Sequence, residues 1–227
     1  MKYDGSNITI IVPAKNEGEG LKKILSRIKK YSKQIIVVDG HSEDETKKIS
    51  ISEGVQYILD GGIGKGEGVR RGFKKATGEI IVVFDADGSP SEKDIPKLIT
   101  PIVNNQADLV VGSRRTGGSF DANISLEGIL RTAGSDLLVL LVNKKFKTNL
   151  TDILFSFRAI RKSMLRNLKL KSNGFDIEQE TVAEALRNGY RVLEVPIREN
   201  ARQWGKSKLT TIMGVRLLIS LLKELYF

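Results

Sequence analysis

The chain has no cysteine and a single histidine among its 227 residues. Without thiols there is no disulfide, no thiolate metal site and no cysteine nucleophile. His41 alone argues against a histidine metal cluster and against a Ser-His-Asp triad. Long apolar runs are missing as well. The longest unbroken one, Leu137–Val142, has six residues, far short of the roughly 20 that a membrane-spanning helix needs. The opening MKYDGSNITIIVP carries only a short apolar run that ends at a proline, which is not the pattern of a secretory signal. An intracellular protein that does not itself span a membrane is therefore expected. Aromatic residues make up 6% and do not interleave with basic ones as a base-stacking platform requires, so nucleic acid is not an expected partner. No low-complexity linker and no internal repeat divides the chain.

What is present is a 40% hydrophobic composition, enough for a sizeable core, and a net charge of +10. The charge is uneven. Lys144 to Lys171 holds nine basic residues and one acid, Asp152, and Lys22 to Lys33 holds six basic residues and no acid. Such an excess attracts phosphate-bearing partners or simply coats a solvated face.

The most informative stretch is Ile80–Phe84, five apolar and mostly β-branched residues followed by Asp85-Ala86-Asp87-Gly88-Ser89-Pro90. The run predicts a strand buried on both faces, as in a parallel sheet, and the glycine and proline predict a turn. Extended residues i and i+2 point to one side. Asp85 and Asp87 are thus expected to project together at a strand's carboxyl end, where open α/β sheets bind ligands. Paired carboxylates there suit a hard divalent ion carrying phosphates; capping the turn or the next helix is the plainer alternative.

Similar punctuation recurs. Ile8–Val12 reads as a strand closed by Pro13, with a helix after Glu17 carrying Leu21, Ile24, Leu25 and Ile28 at helical spacing. Ile35–Val38 ends on Asp39, and Val55–Leu59 ends before a glycine-rich stretch, Asp60 to Gly68. That stretch matches neither Gly-x-Gly-x-x-Gly nor a P-loop. It reads as a loop, either a plain connection or a close approach to a ligand with Lys65 as a cation beside it. Asp108–Val111 is a further strand leading to Gly112-Ser113-Arg114, Leu126–Val142 a long helix with Arg131 and Ser135 on one face, and Val192–Ile197 a late strand. Arg131 serves either a ligand or a surface salt bridge. Strand and helix alternate, as in an α/β sheet with right-handed crossovers. The last segment, Leu209–Phe227, is a broadly apolar helix with Arg216, Ser220 and Lys223 as a narrow polar stripe. It fits a deep core, a membrane interface or another helix.

Val12-Pro13-Ala14-Lys15-Asn16-Glu17, Val37-Val38-Asp39 with Ser42 and Asp44, and Asp85-Ala86-Asp87 together resemble the inverting family 2 glycosyltransferases of GT-A fold. Gly112-Ser113-Arg114, Arg131 with Ser135, Asp152 with Ser156-Phe157-Arg158, and Arg202-x-x-Gly205-x-Ser207-Lys208 are similar to the polyprenyl-phosphate branch, the dolichyl-phosphate mannose or glucose synthases. The resemblance covers nearly the whole chain in order. It implies a mostly parallel α/β sheet flanked by helices, with 1–208 as catalytic domain and 209–227 as an amphipathic helix at the membrane. It also implies transfer of a hexose from a nucleotide sugar of GDP-mannose or UDP-glucose type to a polyprenyl phosphate, by an enzyme peripheral to the cytoplasmic membrane face, with a small membrane subunit as a conceivable partner. Pro13, Glu17, Val37 and Asp39 would hold base and ribose, with Lys65 and Ala86 also bordering the donor. Asp85, Asp87 and Ser89 would manage Mg²⁺ or Mn²⁺ and the diphosphate, Arg114, Arg131 and Ser135 the lipid phosphate, and Arg202 and Lys208 the donor phosphates. The chain departs from the family pattern at Lys15, where an aromatic residue is common, at Gly40, which replaces the second acid of an Asp-Asp pair, and at Ser89, where glutamine often helps ligate the metal. A soluble or polysaccharide acceptor, a sugar nucleotidyltransferase, and a non-catalytic membrane-surface module are the other readings. The nucleotidyltransferase would need a glycine-rich, arginine-bearing loop where Pro13-Ala14-Lys15-Asn16 stands.

Overall fold

The computed structural model describes residues 5–119, 126–204 and 211–226, with side chains described for all of these except 126–131 and 211–213. In chain order the elements are β1 (Ile8–Ala14), α1 (Gly18–Ile28), β2 (Gln34–Asp39), α2 (Thr46–Ser52), β3 (Gln56–Leu59), α3 (Lys65–Lys75) and β4 (Ile80–Val83). There follow α4 (Ile95–Val103), β5 (Leu109–Ser113), α5 (Arg114–Gly117), α6 (Leu126–Phe146), β6 (Arg158–Arg161), α7 (Ile177–Arg187), β7 (Val192–Pro196) and α8 (Thr211–Tyr226).

The seven strands form one sheet in the order β3-β2-β1-β4-β6-β5-β7. All pairings are parallel except those of β6, which runs antiparallel to both β4 and β5. The unbroken apolar strands follow from this architecture, because helices cover both faces and alternate residues enter different cores. Ile10, Val12, Val37 and Val82 pack with Leu21 and Leu25 of α1 and Leu98 of α4. Ile11, Ile36, Val38, Ile81 and Val83 pack with Val69 and Phe73 of α3, Leu138 and Val142 of α6, and Val182 of α7.

The last helix meets two of the three expectations for it, a core on one side and other helices beside it. Leu217, Leu221 and Leu225, one turn apart, are buried in the second core, and α8 lies against α6 and α7. Gln179 Nε2 donates to the Leu217 carbonyl at 2.8 Å, and Ser220 Oγ to Asp176 Oδ2 at 2.8 Å. Its other side, Val215, Ile219, Leu222 and Tyr226, is exposed, as are Leu137 and Leu140 of α6. Among the described residues no helix is long and apolar enough to cross a membrane.

β4 is flanked by β1 on one side and β6 on the other, while β1 is the strand at which the winding reverses, with β2 and β3 to one side and β4 to the other. Such a reversal opens a crevice at the carboxyl ends of the strands.

Candidate active site

Three parallel strand ends, β1, β2 and β4, deliver the predicted residues to this crevice. Asp39 closes β2 and is 1% exposed. Its Oδ1 accepts from the Ser42 N–H at 2.9 Å and its Oδ2 from the Tyr57 hydroxyl at 2.7 Å. Burial, with the Asp39 carboxylate beside it, pushes the Tyr57 phenol up to about 12. Glu17 is buried at the start of α1, where Asp44 accepts from the Gly18 N–H at 2.8 Å. Burial pulls the Asp44 carboxyl upward, but its hydrogen bonds from Thr46 and Gly18 outweigh this and hold it below the usual range. Pro13 is half-buried in β1, paired with Val38. Val37, expected at the donor, is instead fully buried: a mid-strand side chain of a sheet covered on both faces enters a core, here the one under α1.

At the end of β4 the hydrogen-bonding continues only to the Phe84 N–H, which reaches the Ile11 carbonyl at 2.9 Å. Asp85 therefore follows outside the ladder and Asp87 stands in the turn after it, and each meets its own cation. Lys65 Nζ lies 3.0 Å from Asp85 Oδ1, 3.0 Å from Glu178 Oε1 and 3.1 Å from Ser156 Oγ. Burial draws its ammonium down, but Asp85 and Glu178 outweigh this and hold it above the ordinary lysine range. Arg202 Nη2 lies 2.9 Å from Asp87 Oδ2, and its Nη1 3.9 Å from Glu17 Oε1. The Ser89 N–H donates to Asp87 Oδ1 at 2.9 Å, and the Trp204 indole N–H to the Ala86 carbonyl at 2.7 Å. Trp204 fits because α1 presents Gly20 to it: a Cβ there would lie 1.7 Å from Trp204 Cε2.

Lys65, expected in a loop, occupies the first turn of α3. Gly64, at φ 130°, permits this start, and any side chain on it would meet the Asn173 carbonyl oxygen at 2.5 Å. That close approach moors α3 to the segment leading into α7, whose Glu180 accepts from the Lys171 and Ser172 N–H groups at 2.8 and 2.9 Å. Glu178 and Tyr57 are site residues that the sequence reading missed. Glu178 opens a helix, where an acid reads as a favourable end charge; Tyr57 sits on a strand whose other residues are unremarkable.

On the far side, Arg114 follows β5 and makes a forked pair with the buried Asp152, Nε to Oδ2 at 2.6 Å and Nη2 to Oδ1 at 3.1 Å. Its Nη1 is 3.6 Å from Glu199 Oε1, and its guanidinium lies 4.9 Å from the Phe155 ring centre. Burial lowers its proton affinity, but Asp152 and Glu199 raise it further, above the ordinary arginine range. Arg158 is buried and donates to the carbonyls of Glu178 at 2.7 Å and Phe155 at 2.6 Å, which ties the 153–157 loop to α7; burial pushes its guanidinium down. Ser135 is half-buried on α6. Arg131 lies one turn earlier on the same helix, but its side chain falls outside the described residues, as does the whole of Lys208.

Hard oxygen donors fit a hard cation. Asp85 and Asp87 are oxygen ligands suited to Mg²⁺ or Mn²⁺, and each retains lone pairs beyond those taken by Lys65, Arg202 and Ser89. Among the described residues no group of three or more His, Cys, Asp or Glu side chains could hold a metal. An ion at this pair would therefore complete its shell with phosphate oxygens and water.

An α/β sheet with this crevice and an Asp-x-Asp turn at its central strand is the architecture of the GT-A glycosyltransferases. Glucosyl-3-phosphoglycerate synthase of Mycobacterium tuberculosis, solved with Mn²⁺, UDP and glucosyl-3-phosphoglycerate, matches it with a TM-score of 0.79 at 19% identity, over 97% of this chain and 80% of that one. The model for glycosyl transferase family 2 matches residues 9–169, and the chain belongs to that family. It is 31% identical to an uncharacterised protein of Methanocaldococcus jannaschii, over 97% of this chain and 93% of that protein. It is 32% identical to a dolichol-phosphate mannosyltransferase of Pyrococcus furiosus, over 89% of this chain and 59% of that one. The protein is a glycosyltransferase using a nucleotide sugar.

Proposed function

We propose that this enzyme transfers a hexose from a nucleotide sugar to the phosphate of a polyprenyl phosphate, working at a membrane surface. The observation that carries the reading is the exposed apolar side of α6 and α8, with Leu140 at 61% and Ile219 at 50% exposure. Arg115, in the α5 turn that leaves β5, bonds the Thr132 carbonyl and Asp136 of α6, which ties α6 to the strand that leads to Arg114. Lysines accompany the stripe, among them Lys145, whose Nζ lies 4.8 Å from the Tyr226 ring centre. An apolar face with cations beside it suits an anionic lipid surface. The likeness to the Pyrococcus furiosus mannosyltransferase over most of this chain supports the same acceptor.

The chemistry follows from charge. Displacement at the anomeric carbon releases a nucleoside diphosphate; Asp85 and Asp87 would hold Mg²⁺ or Mn²⁺, which would supply charge neutralisation to that leaving group. Arg202, beside Asp87, lies where a leaving diphosphate needs a further cation, with Lys208 as its partner in the same role. Lys65 holds Asp85 in place. The attacking group, a phosphate monoester with a second pKa of about 6, is already an anion near neutrality, so no general base is required. Arg131 and Ser135 on α6 position that phosphate. Arg114, whose charge Asp152 and Glu199 already share, chiefly braces the acceptor side.

A compact phosphorylated acceptor is the second reading, favoured by the fold shared with the synthase solved with glucosyl-3-phosphoglycerate. Incubation of the protein with Mn²⁺, labelled UDP-glucose or GDP-mannose, and either polyprenyl phosphate or 3-phosphoglycerate separates the two. Label in the lipid phase is expected. Label only in the aqueous product would replace the lipid reading with the second.

A further inference from the structure

One carboxylate outside the residues assigned above gathers three donors from a single loop. Glu194 lies in the edge strand β7, opposite Val111 of β5. Its Oε1 accepts from the Asp152 N–H at 2.6 Å and the Thr151 N–H at 2.8 Å, and its Oε2 from the Thr151 hydroxyl at 2.9 Å. Two routes lead from there to α5. In the first, the Asp152 backbone so held carries the carboxylate that forks onto Arg114. In the second, the Thr151 proton is already given to Glu194, so in the 2.6 Å contact between the Ser113 and Thr151 hydroxyls the donor is Ser113. Ser113 Oγ in turn accepts from the Thr116 N–H at 3.3 Å, which caps the α5 turn. A carboxylate suits this place because it accepts at both oxygens and donates from neither.

We propose that Glu194 is a positioning residue for the acceptor: through Thr151, Asp152 and Ser113 it sets the α5 turn, and with it the groups assigned to the acceptor's phosphate. The inference rests on the reading of Arg114, Arg131 and Ser135 as the acceptor side and deepens it. The α5 turn carries both Arg114 and Arg115. Arg115 holds α6 at the Thr132 carbonyl and at Asp136, which adjoin Arg131 and Ser135 in the chain. One carboxylate on β7 thus fixes Arg114 directly behind its fork and α6 at one remove. The donor residues Asp39 and Asp87 lie across the sheet, at or after the ends of β2 and β4. Loss of Glu194 should therefore weaken use of the acceptor far more than grip on the nucleotide. A remote change that misplaces a positioning group by about 1 Å can cost about a hundredfold in rate.

The test is steady-state kinetics of Glu194→Gln, Thr151→Val, Arg114→Lys and the pair Glu194→Gln with Arg114→Lys. Polyprenyl phosphate is varied at saturating labelled GDP-mannose or UDP-glucose, whichever the wild type uses, beside titration of each variant with Mn²⁺-GDP and Mn²⁺-UDP. Glutamine can keep its oxygen on the two backbone N–H groups, but its NH₂ then faces the Thr151 hydroxyl and reverses that chain of hydrogen bonds. Asn143 of α6 holds the start of the loop independently, its Oδ1 accepting from the Leu150 N–H at 2.9 Å, so the variant should fold. Glu194→Gln is expected to lose about 10- to 100-fold in kcat/KM for the acceptor, chiefly through KM, with nucleotide affinity unchanged. Thr151→Val removes only the hydroxyl link and should lose less, in the same direction. Lysine cannot make the Arg114 fork, so the double variant should lose less than the product of the two single losses. Equal losses of acceptor use and nucleotide affinity would mean that Glu194 merely holds the fold, and would overturn the proposal. So would wild-type kinetics in Glu194→Gln, fully multiplicative losses in the pair, or wild-type kinetics in Thr151→Val should Glu194→Gln not fold. A wild type that labels 3-phosphoglycerate in place of polyprenyl phosphate overturns the lipid reading alone, and the same variants then decide on the KM for 3-phosphoglycerate.

Discussion

A lysine in the first turn of a helix faces the positive end of the helix dipole, and Lys65 occupies that unfavourable place in α3. It is held there by two carboxylates, Asp85 and Glu178, each 3.0 Å away. Breaking a buried pair from one side leaves an uncompensated charge, at a cost of about 3–5 kcal/mol. Lys65→Met is therefore expected to lower the unfolding free energy by about 3 kcal/mol in urea titration, since the ammonium keeps some contact with solvent. It should also abolish most transferase activity by releasing Asp85. Adding Glu178→Gln to Lys65→Met should recover part of the lost stability, with a coupling of about 1–3 kcal/mol. Strict additivity of the two would show that Lys65 and Glu178 do not interact. At this scale the sequence was partly readable. Asp39, Asp85 and Asp87 stand at or just past strand ends and Arg202 in a motif, so punctuation and motif could find them. Tyr57 and Glu178 could not, because their importance comes from which neighbouring elements they meet.

Among the elements, α1 and the turn after β4 are joined by one indole. Trp204 seats on Gly20 of α1 and on Gly88, and holds the Ala86 carbonyl. Gly20→Ala must expel that ring, since the new methyl would overlap it. The expected result is a fall in melting temperature corresponding to about 2–4 kcal/mol, the scale of displacing a buried aromatic group. A weaker affinity for Mn²⁺-UDP should accompany it, read by titration. Gly54→Ala, at a glycine with open space around it, gives the comparison for a substitution strained only in its backbone. Element by element, the apolar strands β1, β2, β4 and β5 were legible because burial on both faces leaves unbroken β-branched runs. β6 was not. Arg158-Ala159-Ile160-Arg161 is flanked by charges, and it becomes a central strand only because Arg158 is satisfied by backbone carbonyls and Arg161 by Asp108, 3.1 Å away. The start of α3 was hidden as well. Gly64 and Gly66 read as loop, yet both serve close approach to residues 172–174.

For the molecule as a whole, the exposed apolar side of α6 and α8 is the proposed membrane-facing surface. The protein is expected to float with vesicles containing anionic lipid and to be released as salt rises, since the electrostatic part of such binding is screened. Leu140→Glu combined with Ile219→Glu should prevent flotation while leaving the melting temperature within a degree or two, because both side chains already face outward. Flotation undiminished in that double variant would remove the membrane from the account of this face. The reversed strand β6 has a wider consequence. It stands between β4, which ends at the Asp-x-Asp turn, and β5, which leads to Arg114, and the chain between β5 and β6 contains α5 and α6. The proposed nucleotide half, built mainly from strands β1 to β4, and the proposed acceptor half, looped out between β5 and β6, thus meet along β6 as a single seam. Over evolutionary time such a seam lets one half be retooled while the other is inherited intact, so a lineage can adopt a new sugar recipient without relearning how to grip its nucleotide.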